Sequence, residues 1–574
     1  MNTVQVSPIP VSTIERVRAA YAAIRAADRP EVWITLRPAS EALAEAAGID
    51  ARVAAGESLP LAGLVAAVKD NIDVAGMATT AAAPSFAYQP TADATAVARL
   101  RAAGLIVVGK TNLDQFATGL VGTRSPHGAV RNAWDRARIS GGSSSGSAVA
   151  VALGLVDLAL GTDTAGSGRV PAALNGVVGV KPTRGVIPCT GVVPACRSLD
   201  CVTVFARSMD LAGRAVAVMA GPDGLDPQAT LLGGHPRGGW RLPGGGPPRI
   251  AIPLPSQLEG LADGWAKAFA AAVARLRAVG ADAVPVDIAP LLAAAALLYG
   301  GSFVAERYTA VGAHIAANTA LIGDSLDPVV AQIILDGARF TAAEQFADAE
   351  RLDRLAAQAA SALAGFDALL TPTTTEHPTL TEVAADPVGI NSRLGRYTSF
   401  GNLLDLASVA IPAGTVRGLP FGIMLTGPAG SDGRLAEIAG RYDQTPVDLL
   451  VVGAHLSGQP LNHELLAAGA TLTGPAATAP HYRLLALDTT PPKPGLVRLA
   501  PADGPAGASI AGEVWRLPAA GFARFMAGLA APMSIGRVRL DDGADVLGFL
   551  CEPAATVGAA DITGYGGWRA WLER

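Results

Sequence analysis

The sequence predicts an α/β protein in which helices cover a central sheet, followed by a small β-rich C-terminal domain. Three observations carry that expectation. From about residue 60 to 220, short apolar runs alternate with Ala-rich helical stretches, the pattern of strands buried between helices. Near Arg441–Val447 the helical pattern stops, and short strand-like segments separated by turns follow over about 125 residues. The chain's 574 residues also exceed what one hydrophobic core usually organises. Two domains are expected, 1–440 and 447–574.

Residues 11–28 (VSTIERVRAAYAAIRAAD) place apolar side chains at helical spacing behind Ser12 and Thr13, predicting a first helix. Val65–Lys69, Leu105–Val108 and Val177–Val180 are apolar runs short enough to be buried strands, and Ser145–Leu155 reads as a helix between loops. Residues 221–248 are rich in Gly and Pro without periodicity, hence a connection. Arg249–Pro253 resumes a strand, while 261–320 and 341–364 read as helical. Beyond Asp448–Val452, strands are expected at Tyr482–Leu487, Leu496–Leu499, Val514–Leu517, Ile535–Leu540 and Val546–Cys551. No internal repeat is visible.

Half the residues are apolar and 16% are charged, which excludes a disordered chain. A formal charge of −5 gives no whole-chain basis for nucleic-acid binding. Cys189, Cys196, Cys201 and Cys551 form no CxxC pair, so neither a disulfide framework nor a metal site is expected. The first residues lack a basic segment followed by an apolar one, and a cytoplasmic protein is expected. One long uncharged stretch, Ala289–Ala305, is rich in Ala and holds Pro290 and Gly300–Gly301, so it reads as buried helix and loop rather than a membrane span. Only five of the 44 basic residues are Lys. An ammonium can be tuned to lose its proton and a guanidinium cannot, so each Lys is a candidate for proton chemistry, against the plainer reading of compositional bias.

Two familiar strings are set aside. Gly104–Thr111 satisfies the phosphate-loop pattern, but its four central residues are themselves a strand. Gly142–Gly146 satisfies G-x-S-x-G, yet no hydrophobic strand precedes it, and His235, His314 and His377 sit in no recognisable catalytic loop. A stronger constellation has three parts. Lys69 ends an apolar strand, where burial depresses its pKa. Gly141–Ser147 is a Gly/Ser loop turning into a helix, and Thr162–Pro171 is a second small-residue loop whose amides could converge on one oxyanion. One such loop is usually only a turn; three parts together favour Lys-assisted nucleophilic attack by Ser.

The run GGSSSGSAVAVALGLVDLALGTDTAGSGRVPAALNGVVGVKPTRG (141–185) and AVKDNIDVAG around Lys69 resemble the amidase signature family, over roughly residues 30–435. The resemblance implies that family's fold, a mixed central sheet covered by helices. It implies a Ser–cisSer–Lys triad of Ser167 (nucleophile), Ser143 (bridge) and Lys69 (base). It also implies an oxyanion hole of the Thr164, Ala165, Gly166 and Ser167 amides, with no metal or organic cofactor. Ala165 departs from the Gly that most relatives carry there.

Glu31–Ile34, Thr118–Ser125, the TAGSGRVPA form of the second loop and Leu298–Tyr308 resemble the allophanate hydrolase branch of the family. That implies a small carboxylate-bearing amide, allophanate, contacted by Tyr299 and Arg307, with Gly122 and Arg124 lining the pocket. The alternative for Arg307 is an ordinary ion pair with Glu306 or another surface acid. GAHLSGQPLN (453–462), KPGLVR (493–498), EVWRLP (513–518) and DITGYGGWRAWL (561–572) resemble the branch's second domain, with a fold similar to the γ-glutamylcyclotransferases. The stretch after EVWRLP holds no carboxylate, which argues against cyclotransferase activity. The branch implies that this domain assists decarboxylation of N-carboxycarbamate, with His455 as candidate; a histidine satisfied at a strand end is the alternative. It implies a homodimer, and urea carboxylase as functional partner, although allophanate also arises in cyanuric acid breakdown.

Overall fold

The computed structural model describes residues 12–230, 240, 242–243, 246–443, 447–468, 470–499, 507–517 and 519–574. His235 lies outside the described residues. The chain divides into two compact units, Met1–Asp443 and Gln444–Arg574.

The first unit is built on an eleven-stranded sheet. Its strands are β1 Trp33–Leu36, β2 Val65–Lys69, β3 Ile106–Thr111, β4 Leu158–Asp163, β5 Val178–Lys181 and β6 Cys201–Ala206. They continue with β7 Arg249–Pro253, β8 Asp282–Val286, β9 Ala368–Pro372, β10 Ala407–Val416 and β11 Leu419–Gly427. Their spatial order is β1-β3-β2-β4-β6-β5-β10-β11-β9-β7-β8. The sheet is mixed: β2 runs parallel to β3 and β4, and β7 to β8 and β9, while β4–β6 and β10–β11 are antiparallel.

The central strands read as unbroken apolar runs because helices cover both faces. Val65 and Ala67 belong to one core with Ile106, Val108 and the helices Thr13–Ala27 and Ala39–Ala54. Ala66 and Val68 belong to another with Val107, Leu158 and Leu160. Successive side chains of a strand point to opposite faces, so both parities must be apolar.

One expectation changes. The 261–320 region is not continuously helical: Asp282–Val286 forms β8 between the helices Trp265–Ala278 and Ala289–Gly300. As the last strand of the sheet it is half exposed and tolerates Pro285, so its sequence has no apolar run. The β10–β11 hairpin turns through Arg417 and Gly418, both at positive φ, the requirement of a two-residue turn matched to strand twist. Among the described residues no single helix is long and apolar enough to cross a membrane.

The second unit holds β12 Val447–Val451, β13 Thr471–Ala477, β14 Tyr482–Leu487, β15 Lys493–Arg498, β16 Ala511–Leu517, β17 Met533–Arg539, β18 Asp545–Cys551 and β19 Ala560–Asp561. They form a five-stranded sheet, β13-β16-β12-β18-β17, and a three-stranded one, β15-β14-β19. Leu449, Val451, Tyr482, Trp515 and Trp568 meet in its core.

Candidate active site

The site grows from the carboxyl ends of two adjacent parallel strands, where α/β sheets characteristically offer crevices. The β2–β4 register sets Val68 opposite Leu160, which ends β2 at Lys69 just short of Thr162, and Lys69 Nζ lies 2.8 Å from both Thr162 Oγ1 and Ser143 Oγ. Lys69 is fully buried. Removal from water pulls its pKa down to about 7, with Asp114, Asp200 and Asp163 partly opposing the fall.

Ser143 is delivered by a loop whose Gly142–Ser143 peptide is cis. Ser144 and Ser147 bind the loop and the following helix, Ser145–Ala152, to β4: Ser144 Oγ donates to the Thr162 carbonyl (3.1 Å) and Ser147 Oγ to that of Leu160 (2.8 Å). Gly142 leaves no room for a side chain, since a Cβ there would stand 2.0 Å from Asp114 Oδ2. Asp114 accepts the amides of Val121, Gly122 and Arg124, fixing the next loop against the first.

The third loop is held by a fully buried ion pair. Arg169 Nη2 donates to Asp163 Oδ1 (2.8 Å) and Nε to Oδ2 (2.9 Å). Burial opposes the charge on Asp163, but Arg169 and the Gly168 amide outweigh it and hold the carboxyl below its usual range. Thr164 Oγ1 donates to Asp200, whose pKa burial pushes up to about 6. Ser167 Oγ points at the Gly119 carbonyl, 3.5 Å away, and shares no hydrogen bond with Ser143.

Of the four amides expected to face an oxyanion, Gly166 must be withdrawn: its N–H donates to Asp163 Oδ1 at 2.8 Å. The carboxylate that stiffens the loop claims that donor. Among the described residues the Thr164, Ala165 and Ser167 amides have no such partner.

Arg307 is buried, and it does not pair with Glu306, which instead accepts the Ser198 amide and hydroxyl. Its Nη1 donates to Thr118 Oγ1 (2.9 Å) and its Nη2 to the Tyr299 phenolic oxygen (3.1 Å). Tyr299 lines a cavity of about 540 Å³ with Asn391 and Ser399, and Arg307 stands behind it. The expected pocket roles of Gly122 and Arg124 change. Gly122, at φ 77°, packs on the cis-peptide loop, where a Cβ would meet Ser140 Oγ at 2.5 Å. Arg124 binds the carbonyls of Thr118 (3.0 Å) and Pro387 (2.6 Å), tying two loops together.

Sequence reading overlooked several of these groups. Thr162, Asp163 and Arg169 lie inside the motif but read only as loop. Residues 389–399 carry no motif, yet Thr398 Oγ1 donates to the Ala165 carbonyl (2.6 Å) and Arg169 Nη1 to that of Thr398 (3.0 Å). Only the fold brings that segment to the loop that carries Ser167.

In the second unit, His455 stacks on Phe549 (centroids 4.8 Å apart) and its Nε2 lies 2.9 Å from Glu464 Oε2. Burial lowers its pKa while Glu464 raises it. It lines a cavity of about 530 Å³ with Glu464, Lys493, Phe525 and Met533. Among the described residues, no group of three or more His, Cys, Asp or Glu is arranged to hold a metal.

The amidase family model matches residues 15–436, and that of the allophanate hydrolase C-terminal domain matches 447–573. The urea amidolyase of Lachancea kluyveri is 42% identical over 557 residues, which cover 90% of this chain and 30% of that protein. The chain thus spans less than a third of that relative's length. The structure of selenomethionine-substituted allophanate hydrolase from Kluyveromyces lactis is 40% identical, with a TM-score of 0.68, covering 98% of this chain and 97% of that one. The structure of native peptide amidase from Stenotrophomonas maltophilia is 31% identical, with a TM-score of 0.63, covering 76% of this chain and 93% of that one.

Proposed function

Since the chain belongs to the amidase family and carries an allophanate hydrolase C-terminal domain, we propose that it hydrolyses allophanate, releasing ammonia by Ser–cisSer–Lys chemistry. Neutral Lys69 takes a proton from Ser143 Oγ as Ser143 takes one from Ser167 Oγ, which attacks the amide carbon. Ser167 first turns from the Gly119 carbonyl toward Ser143; such contacts commonly tighten only once substrate is bound. The Thr164, Ala165 and Ser167 amides receive the oxyanion. Its collapse breaks the C–N bond, with the relayed proton leaving on ammonia, and water then frees N-carboxycarbamate.

The observation that carries the substrate choice is Arg307, a buried guanidinium with no carboxylate partner among the described residues. A carboxylate-bearing amide supplies the missing counter-ion. In the second unit, His455 beside Lys493 suits a carboxylate ligand: proton delivery to the N-carboxycarbamate nitrogen breaks the C–N bond and frees carbon dioxide. A homodimer, and supply of allophanate by a urea-carboxylating enzyme, complete this reading.

The test is ammonia release from allophanate, malonamate, glutamine and a simple aliphatic amide, with His455→Ala in parallel. Selective turnover of allophanate, with His455→Ala slowing only carbon dioxide release, is the expected result. Faster turnover of a neutral amide overturns the substrate choice, and an unchanged carbon dioxide rate overturns the role of His455.

A further inference from the structure

The Gly119–Leu120 peptide group is engaged on both sides. Its carbonyl receives Ser167 Oγ, and its N–H donates to Asn391 Oδ1 at 2.7 Å. A backbone N–H is only a donor, so the atom of Asn391 that meets it must be the oxygen. That fixes the amide orientation and turns Nδ2 away from the peptide. Nδ2 donates to no group among the described residues and is not sealed in. Asn391 is 4% exposed, and it lines the cavity of about 540 Å³ shared with Tyr299. Nearly all of the residue is packed, leaving an oriented N–H₂ at the cavity wall.

We infer that Asn391 is a specificity-determining residue, whose Nδ2 donates to the carboxylate of the substrate opposite the Tyr299–Arg307 pair. This rests on the functional reading above. Tyr299 OH accepts from Arg307, so its own proton is free for a ligand on the cavity side. Allophanate's carboxylate carbon is two bonds from the carbon that Ser167 attacks. A donor held one peptide group from Ser167 is therefore on the scale of the substrate. A carboxylate has about four acceptor sites, and Tyr299 with Arg307 leaves some of them open. Asn391 adds a neutral donor without a second buried charge, whose desolvation would oppose the gain.

The test compares wild type with Asn391→Asp and Asn391→Ala. Asn391→Asp keeps an acceptor for the Leu120 amide but replaces the donor with a like charge. Its kcat/KM for allophanate is expected to fall about 10- to 100-fold, mostly through KM. Labelling of Ser167 by a small uncharged fluorophosphonate reads the loop independently of the carboxylate, and its rate should stay within about twofold. Asn391→Ala also frees the Leu120 amide, so its labelling slows as well. Equal losses of labelling and turnover in Asn391→Asp would make the residue a prop for the loop and overturn the inference. So would an unchanged KM with wild type still selective for allophanate. A wild type that shows no such selectivity removes the functional reading, and this inference with it.

Discussion

Arg307 donates to the phenolic oxygen of Tyr299 at 3.1 Å and lies over its ring, 5.3 Å from the centroid. The two act as one unit in which the cation is buried and the phenol reaches the cavity. Tyr299→Phe should therefore raise KM for allophanate by about tenfold, the worth of one hydrogen bond to a charged group, with a smaller change in kcat. Arg307→Lys loses the planar fork that reaches Thr118 and Tyr299 together, and its kcat/KM should fall by about 100-fold. Steady-state kinetics with allophanate beside a neutral amide check both, and equal losses on the two substrates would contradict them.

Lys69 predicts the pH profile. With its pKa lowered to about 7, kcat/KM should rise to a plateau through a midpoint near that value, as neutral Lys69 accumulates. The unfolded chain keeps a Lys pKa of about 10.4. Between those values it binds the extra proton, and this group makes stability rise with pH. Lys69→Met should be inactive, and any stability it gains should be largest at or below pH 7 and vanish toward pH 10. A rising limb centred near pH 10 would contradict the assignment of Lys69 as base.

Ser167→Ala should abolish ammonia release, a loss of about 10³-fold or more, with little change in thermal stability. Among the described residues the hydroxyl's one hydrogen bond is that to the Gly119 carbonyl, at 3.5 Å, so its loss leaves no strong bond broken. Residual activity near wild type would remove Ser167 as nucleophile.

Asp163→Asn should destabilise the first unit by about 3–5 kcal/mol, because Arg169 would be left as an uncompensated buried charge. The Gly166 and Gly168 amides lose their shared carboxylate at the same time. Thermal or denaturant unfolding checks this. A variant of wild-type stability would show that water reaches Arg169.

Three strands near the middle of the sheet were legible because burial on both faces writes a short apolar run, those at Val65–Lys69, Ile106–Thr111 and Val178–Lys181. Edge strand β8 was not, since half of it faces solvent and carries no periodic signal. The motif loops were legible as clusters of small residues. Which of their groups remain available was not: Gly166 looked like an oxyanion donor until Asp163 was seen to hold its N–H.

Residue type and local spacing pointed to a buried lysine and two small-residue loops acting together, and the resemblance to the amidase signature family named Ser167, Ser143 and Lys69 among them. These are properties of short segments. Tertiary structure alone decided that Arg124 ties loops while Arg307 stands behind the cavity, and that Asn391 meets the far side of the peptide facing Ser167. Hydrogen-bond partners are assigned by proximity across the folded sheet, and residues so distant along the chain leave no mark of it in their own neighbourhoods.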